Sequence, residues 1–317
     1  MANISIIYTF ILLFNLLKLH SKRYVLTFAY KTTNMQDYLL HEKYIKEIID
    51  DYQFHKPSYM ENKYRFIKLN NELDVFLISR PGKHTYGTLH IQVGSHNDPE
   101  HIPGLARLLE QSLFINTKKY PEIYGFYKFI YSHFGETSAF TDLEYTRYYF
   151  KINSKMIEEA LDRFSQSFID PLFDKNFIEK EITNNNNEDN IYKKQEYFNL
   201  SIIRELINNN NNNKFSKYIN KNNKTFEQEP KLKEIYIRNE IIRFYENEYS
   251  SNKMILVLTS NKSIDELTSL TIKYFSKIQN KQLNLKTFDE EPISNHTHPF
   301  EYLKKKLFLL NLLKTKI

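Results

Sequence analysis

Residues 94–117 read GSHNDPEHIPGLARLLEQSLFINT, a polar, turn-rich segment that runs directly into an apolar one. The polar part contains the turn-forming residues Asn97 and Asp98 and predicts a loop over residues 95–103. Beyond it, leucines recur at helical spacing at positions 105, 108, 109 and 113. The stretch therefore predicts a loop followed by an amphipathic helix over residues 104–113, whose leucine face is buried.

The segments around this stretch alternate between strand and helix patterns. Residues 64–79 predict a β-hairpin around an Asn-Asn turn, and residues 253–259, KMILVLT, predict a buried strand. Further strands are predicted at residues 87–94 and 138–150, and helices at residues 123–134, 154–169, 174–205, 234–249 and 263–278. Ser263 and Glu266 have the spacing of a capping box at the start of the last helix. This order predicts an α+β fold in which helices cover one face of a largely antiparallel sheet.

Composition changes along the chain indicate four parts. Residues 1–30 contain an almost wholly apolar run at 4–19, which fits the core of a signal peptide or a membrane anchor. We therefore expect the secretory pathway, with membrane association through residues 4–19, and keep organelle import and a cytoplasmic location as alternatives. The other parts are a polar lead-in with a helical pattern, a domain with an asparagine-rich loop near 208–213, and a linker with a basic tail, at residues 31–61, 62–285 and 286–317.

The overall composition is that of a globular protein and excludes several classes of function. The 317 residues include 44 basic and 38 acidic side chains, for a net charge of +6, and the basic residues are interleaved with acidic ones. No arginine-rich stripe with interleaved aromatic residues is present, so we expect no nucleic-acid partner. The chain has no cysteine, which excludes disulfides, cysteine nucleophiles and thiolate zinc sites.

Residues 94–117 resemble the active-site segment of the insulinase (pitrilysin-type) family of zinc metallopeptidases, whose pattern is G-S-x-x-D-P…G-L-[SA]-H-x-x-E-H-x-L-F-x-G-T. Further blocks follow in the family's order: KKYP at 118–121, GETSAFT at 135–141, ALDRFSQSFIDPLFD at 160–174, KFSK at 214–217 and FYENEYSSNK at 244–253. The resemblance covers about residues 62–285. It implies the N-terminal, catalytic-type domain of the family, with the insulinase or mitochondrial-processing-peptidase-like fold.

The family's zinc motif places two histidines at i and i+4 on one helix face, and the glutamate between them accepts a proton from the zinc-bound water. In this sequence Arg107 and Gln111 occupy the two histidine positions, and Glu110 occupies the position of the base. Arginine stays protonated and glutamine is a weak neutral donor. The resemblance also assigns Glu188 to the third zinc ligand and Glu181 to the second carboxylate, although such glutamates are more often solvated surface. Zinc is the family's cofactor, and we expect this chain not to bind it.

Two further expectations concern this remnant site. Because carboxylates held close together repel one another without a cation, we expect Arg107 to take the place of the metal and to pair with Glu188 or Glu110. The alternative is that Arg107 points into water. The histidines in the same half of the chain have no i+4 spacing to one another, so they are not expected to restore a zinc site; they are at positions 84, 90, 96, 101 and 133.

In the family, the strand that matches Ser138, Ala139, Phe140 and Thr141 pairs with an extended peptide through main-chain hydrogen bonds. A main-chain contact tolerates Ser138, which stands where the family has asparagine. We therefore expect a catalytically inactive homologue that binds a peptide or a related peptidase-family subunit. The alternative is an active zinc metalloendopeptidase with atypical ligands or within a larger assembly. Family peptidases enclose substrate between two halves, and we expect 317 residues to supply only the first domain and part of a linker.

Overall fold

The computed structural model describes residues 43–57, 59–188 and 236–285, and for residues 183–188 it describes the backbone alone. Within these residues the strands are β1 (Ile45–Asp50), β2 (Lys63–Leu69), β3 (Asp74–Ser79), β4 (His84–Ile91), β5 (Glu136–Thr141), β6 (Thr146–Asn153) and β7 (Met254–Ser260). The α-helices are α1 (Leu105–Leu113), α2 (Gly125–Ser132), α3 (Ile157–Gln166), α4 (Lys175–Glu188), α5 (Ile237–Glu248) and α6 (Ile264–Phe275).

The described strands form one sheet in the order β1-β2-β3-β7-β4-β6-β5. Every neighbouring pair is antiparallel except β3 and β7, which are parallel. Parallel neighbours need a long crossover, and the chain between β3 and β7 contains α1 to α5. The predicted α+β class with an antiparallel-rich sheet is confirmed.

The helices cover one face of this sheet, as predicted. Along β6, positions 146, 148, 150 and 152 are buried, while the positions between them are partly exposed. Phe150 packs on Phe126 of α2 and Phe164 of α3, with ring centroids 6.2 Å and 5.0 Å away. Tyr148 packs on Phe114, at the end of α1, at 4.9 Å. Each such ring removes about 150–250 Å² of surface from water, so this aromatic layer holds three helices against β6.

Two local predictions are confirmed. The hairpin of β2 and β3 turns at an Asn-Asn pair. The Asn71 side-chain amide donates to the carbonyl of Phe275, the last residue of α6, and to that of Ile278 just beyond it. Ser263 caps the start of α6, because its Oγ accepts from the Glu266 amide at 3.2 Å while the Glu266 carboxylate accepts from the Ser263 amide at 2.9 Å. Both features depend on residues close in sequence, which is why periodicity and spacing predict them.

Two other predictions are wrong. The lead-in over residues 31–61 was expected to be helical, but residues 45–50 within it form β1, which pairs with β2 at the edge of the sheet. Its isoleucines have a spacing that also fits a helix, but they are β-branched and favour a strand where a neighbouring strand supplies hydrogen bonds. Residues 138–150 were expected to form one strand, but the chain reverses at residues 142–145 to give the β5–β6 hairpin.

Several predicted features lie outside the described residues. These are the apolar run at 4–19, the part of the lead-in before residue 43, the asparagine-rich loop near 208–213, the KFSK block at 214–217 and the tail at 286–317. Among the helices that are described, none is long and apolar enough to cross a membrane.

Candidate functional site

The helix α1 carries Arg107, Glu110 and Gln111, which the sequence resemblance assigns to two metal-ligand positions and the base position. The preceding loop fixes where this helix begins. The Asp98 carboxylate accepts two main-chain hydrogen bonds, from the amides of Gly104 and Ala106, both at 2.7 Å. Gly104 precedes the helix with a φ of 92°, a left-handed conformation that suits glycine. The four leucines of α1, whose burial the sequence predicts, are fully buried. The helix is therefore anchored at its start and along one face, and this fixes the direction in which its polar side chains point.

Glu110 is buried between α1 and the strand β5. Its side chain is 7% exposed, and its Oε2 accepts a hydrogen bond from the Thr141 hydroxyl at 2.5 Å. Three tyrosines lie close enough to feel its charge. Burial raises the pKa of Tyr127, Tyr148 and Tyr249, and the Glu110 charge raises each further. Glu110 thus lies near three phenols that stay neutral, and its carboxylate is held by a residue of β5.

Arg107 lies one turn before Glu110 on the same helix. Its Nη1 is 3.9 Å from Glu110 Oε2, and its side chain is 29% exposed. This separation is a charge contact and is too long for a hydrogen bond. The expected approach of Arg107 to Glu110 is therefore present. Gln111, at the other histidine position, is part-buried on α1.

The second pair of glutamates lies on α4, which packs against α1. Glu181 is part-buried, and its charge, after burial, raises the pKa of Tyr124 at the start of α2. Glu181 and Glu188 are seven residues apart on this helix, a rise of about 10 Å. The side chain of Glu188 is outside the described part of the structure. Glu181 is thus close enough to Tyr124 for its charge to act on that phenol.

The strand β5 ends the sheet within the described residues and pairs on one side with β6. The Asp142 amide donates to the Tyr145 carbonyl at 2.8 Å, which closes the hairpin. Hydrogen-bonded and non-hydrogen-bonded pairs alternate in an antiparallel ladder, so the main-chain groups of Ser138 and Phe140 point toward β6. Those of Ala139 and Thr141 point to the other side of β5, the free edge, where no strand is found among the described residues. The sequence alone does not show which of these main-chain groups point toward β6, because that depends on the register of the two strands.

The described residues around Glu110 do not fit a zinc ion. Arg107 adds a permanent positive charge on α1, and Gln111, one turn further along, offers only a neutral amide. In the described ranges, no group of three or more His, Cys, Asp or Glu side chains is arranged to hold a metal ion. His90 is on the sheet face opposite α1, with its ring tilted against that of Tyr145 at a centroid distance of 4.7 Å, and burial lowers its pKa to about 4. No step through zinc is therefore derived from these residues.

A buried ion pair that the sequence did not predict supports the loop before α1. The Lys253 ammonium, 2% exposed, lies 3.1 Å from Glu248 Oε2. The Asn97 amide donates to the same carboxylate oxygen at 2.9 Å. These three residues join the loop, the end of α5 and the start of β7. Because Asn97 and Glu248 are 151 positions apart, no local pattern indicates the contact.

Sequence comparisons match two family models to the chain. Residues 75–224 match "Insulinase (Peptidase family M16)", and residues 236–310 match "Peptidase M16 inactive domain". Insulin-degrading enzyme from Homo sapiens is 35% identical over 246 residues, which cover 77% of this chain and 24% of that protein. A-factor-processing enzyme from Saccharomyces cerevisiae is 32% identical over 248 residues, covering 77% of this chain and 24% of its own.

Structural comparison gives the same relationship. The crystal structure of pitrilysin matches with a TM-score of 0.69 and 25% identity, covering 76% of this chain and 25% of that one. A further relative, "Insulin-degrading enzyme-like 1, peroxisomal" from Arabidopsis thaliana, is 34% identical over 75% of this chain and 24% of its own length. The chain thus spans about a quarter of the length of the curated relatives it matches.

Proposed function

The chain belongs to the insulinase family, peptidase family M16, and on that premise we propose that its described domain binds extended peptides without hydrolysing them. The observation that carries the proposal is the contact between Arg107 and Glu110 on α1. A guanidinium stands where the family has a zinc ligand, beside the carboxylate that stands where the family has its base.

The absence of hydrolysis follows from the chemistry of these side chains. Metal-assisted cleavage needs a cation that lowers the pKa of a bound water and polarises the peptide carbonyl. A guanidinium does not replace such a cation, because it has no coordination position at which a water could bind and be deprotonated. Glu110 is also engaged by the Thr141 hydroxyl and is nearly buried, so little of it faces a water molecule. We propose that Glu110 now connects α1 to β5.

Peptide binding follows from the free edge of β5. The main-chain groups of Ala139 and Thr141 point outward there, and an added strand uses them whatever its side chains are. The occupant is an extended segment, either of a free peptide or of a related peptidase-family subunit. Ser138 and Phe140 present exposed side chains on the sheet face away from α1.

The test combines metal analysis with peptide binding on the purified protein. We expect less than one tenth of an equivalent of zinc per chain, and fluorescence anisotropy of a labelled peptide that does not change with a chelator. The double substitution Arg107→His and Gln111→His is expected to take up close to one zinc per chain. The control pair Asn239→His and Arg243→His, exposed on α5 at the same i, i+4 spacing, is expected to take up much less.

The second candidate is an active zinc metalloendopeptidase, alone or within a larger assembly. Two observations favour it: Glu110 is retained at the base position, and Glu181 lies on the helix that packs against α1. A peptidase assay on the purified chain, with Glu110→Gln as its control, separates the two candidates. Chelator-sensitive cleavage that disappears in Glu110→Gln would overturn the proposal of binding without hydrolysis.

The route of the protein through the cell stays a prediction. The apolar run at 4–19 favours the secretory pathway, and a fluorescent reporter fused after residue 30 tests it. Entry of the reporter into the secretory pathway is the expected result. Import into an organelle, or retention in the cytoplasm, would contradict it.

A further inference from the structure

A continuous row of aromatic rings runs along α2. Tyr124, Tyr127 and Tyr131 are three and four positions apart, so they share one face of the helix. The ring centroids of Tyr124 and Tyr127 are 6.0 Å apart, and those of Tyr127 and Tyr131 are 6.4 Å apart. Phe177 of α4 continues the row beyond Tyr124 at 5.9 Å. We call Tyr124, Tyr127 and Tyr131 the tyrosine row.

The tyrosine row lies beside β5. The helix α2 contacts β5, and only residues 133–135 separate the two elements, so the strand runs back along the helix. The turn is held tightly, because the Gly135 amide donates to the Ile130 carbonyl at 2.9 Å. Glu110 of α1 is close to both elements. It accepts a hydrogen bond from Thr141 of β5, and its charge raises the pKa of Tyr127 on α2. The tyrosine row is therefore on the helix that contacts β5, with Tyr131 nearer to the turn and Tyr127 within reach of the Glu110 charge.

We propose that the tyrosine row is a side-chain binding surface for the extended peptide that pairs with the free edge of β5. This inference rests on the proposed function and adds to it the class of peptide. Side chains on one face of an extended strand repeat every ~6.6–6.8 Å. The ring spacings of 6.0 and 6.4 Å are close to this repeat, so every second side chain of the peptide meets one ring.

The exposure and charge of the row define that peptide. Tyr131 is 55% exposed and Tyr124 is 40% exposed, so both offer aromatic surface to a ligand, while Tyr127 is mostly buried between them. Burial and the charge of Glu181 raise the pKa of Tyr124, so its phenol is neutral and beside a carboxylate. The row therefore fits a peptide with bulky apolar side chains at alternating positions.

The experiment uses fluorescein-labelled peptides and anisotropy on the full chain. The probe contains Phe-Thr-Phe-Thr-Lys, and a peptide of equal composition, Thr-Thr-Phe-Phe-Lys, places its two phenylalanines on opposite faces. We expect Tyr131→Ala to weaken binding of the probe about fivefold, the effect of losing one aromatic contact. The matched control is Tyr52→Ala, another exposed tyrosine, near β1 at the far edge of the sheet. It is expected to change the affinity less than twofold.

Outcomes separate this inference from the proposed function. If the probe binds and Tyr131→Ala, with an unchanged thermal unfolding midpoint, binds it as tightly as the wild type, the tyrosine row is not the binding surface. Equal affinity for the two peptides overturns it as well. A probe with N-methylated amides at alternate positions tests pairing with β5. If it binds as well as the unmodified probe, or if no peptide binds, the proposed function fails and this inference fails with it.

Discussion

Asp98 is expected to be the main anchor of α1, and Asp98→Ala tests this directly. The carboxylate accepts two main-chain hydrogen bonds at 2.7 Å, from Gly104 and Ala106. A hydrogen bond to a charged group contributes about 1.5–3 kcal/mol, and loss of a helix cap costs about 0.5–2 kcal/mol. The two amides are at the start of a helix, where water replaces part of the lost bonding. We therefore expect the free energy of unfolding to fall by about 2–3 kcal/mol.

Urea unfolding followed by circular dichroism measures this change. Asp98→Asn keeps one side-chain oxygen as an acceptor, so it is expected to lose about half as much as Asp98→Ala. Glu61→Ala removes an exposed carboxylate elsewhere and is expected to change stability by less than about 0.5 kcal/mol. If Asp98→Ala unfolds at the same urea concentration as Glu61→Ala, the two hydrogen bonds do not anchor α1 and the reasoning is refuted.

Three further changes have expected results. Lys253→Met leaves Glu248 buried without its cation and is expected to cost about 3 kcal/mol in urea unfolding, whereas Lys253→Met with Glu248→Met should cost less. Burial lowers the pKa of His90 to about 4, so between pH 6.5 and 4 the unfolded chain binds a proton that the folded chain does not. The free energy of unfolding should therefore fall by up to about 3 kcal/mol as the pH drops through this window, and His90→Phe should remove that part of the pH dependence. Gly87→Ala places a Cβ 2.2 Å from the Phe150 ring and is expected to lower the thermal midpoint, at a cost of about 1–3 kcal/mol; an unchanged midpoint would contradict the tight packing.

Much of the fold follows from the sequence because its signals are local. The leucine spacing in residues 104–113, the Asn-Asn turn and the Ser263 cap each depend on residues within one or two turns of one another. The same is true of the motif on α1. The spacing of Arg107, Glu110 and Gln111, together with the resemblance, predicts the replacement of both histidines before any tertiary contact is known.

Tertiary structure decided what those residues contact. Residues 45–50 form a strand because their main chain hydrogen-bonds to β2. The helical spacing of the isoleucines does not indicate this pairing. The Glu110 carboxylate accepts a hydrogen bond from Thr141, 31 positions away, and the Glu248 carboxylate accepts one from Asn97, 151 positions away. The sequence alone determined that Arg107, Glu110 and Gln111 share one predicted helix. Only folding determined that the retained glutamate is held by the edge strand and bordered by the tyrosine row, because packing between distant segments sets those contacts.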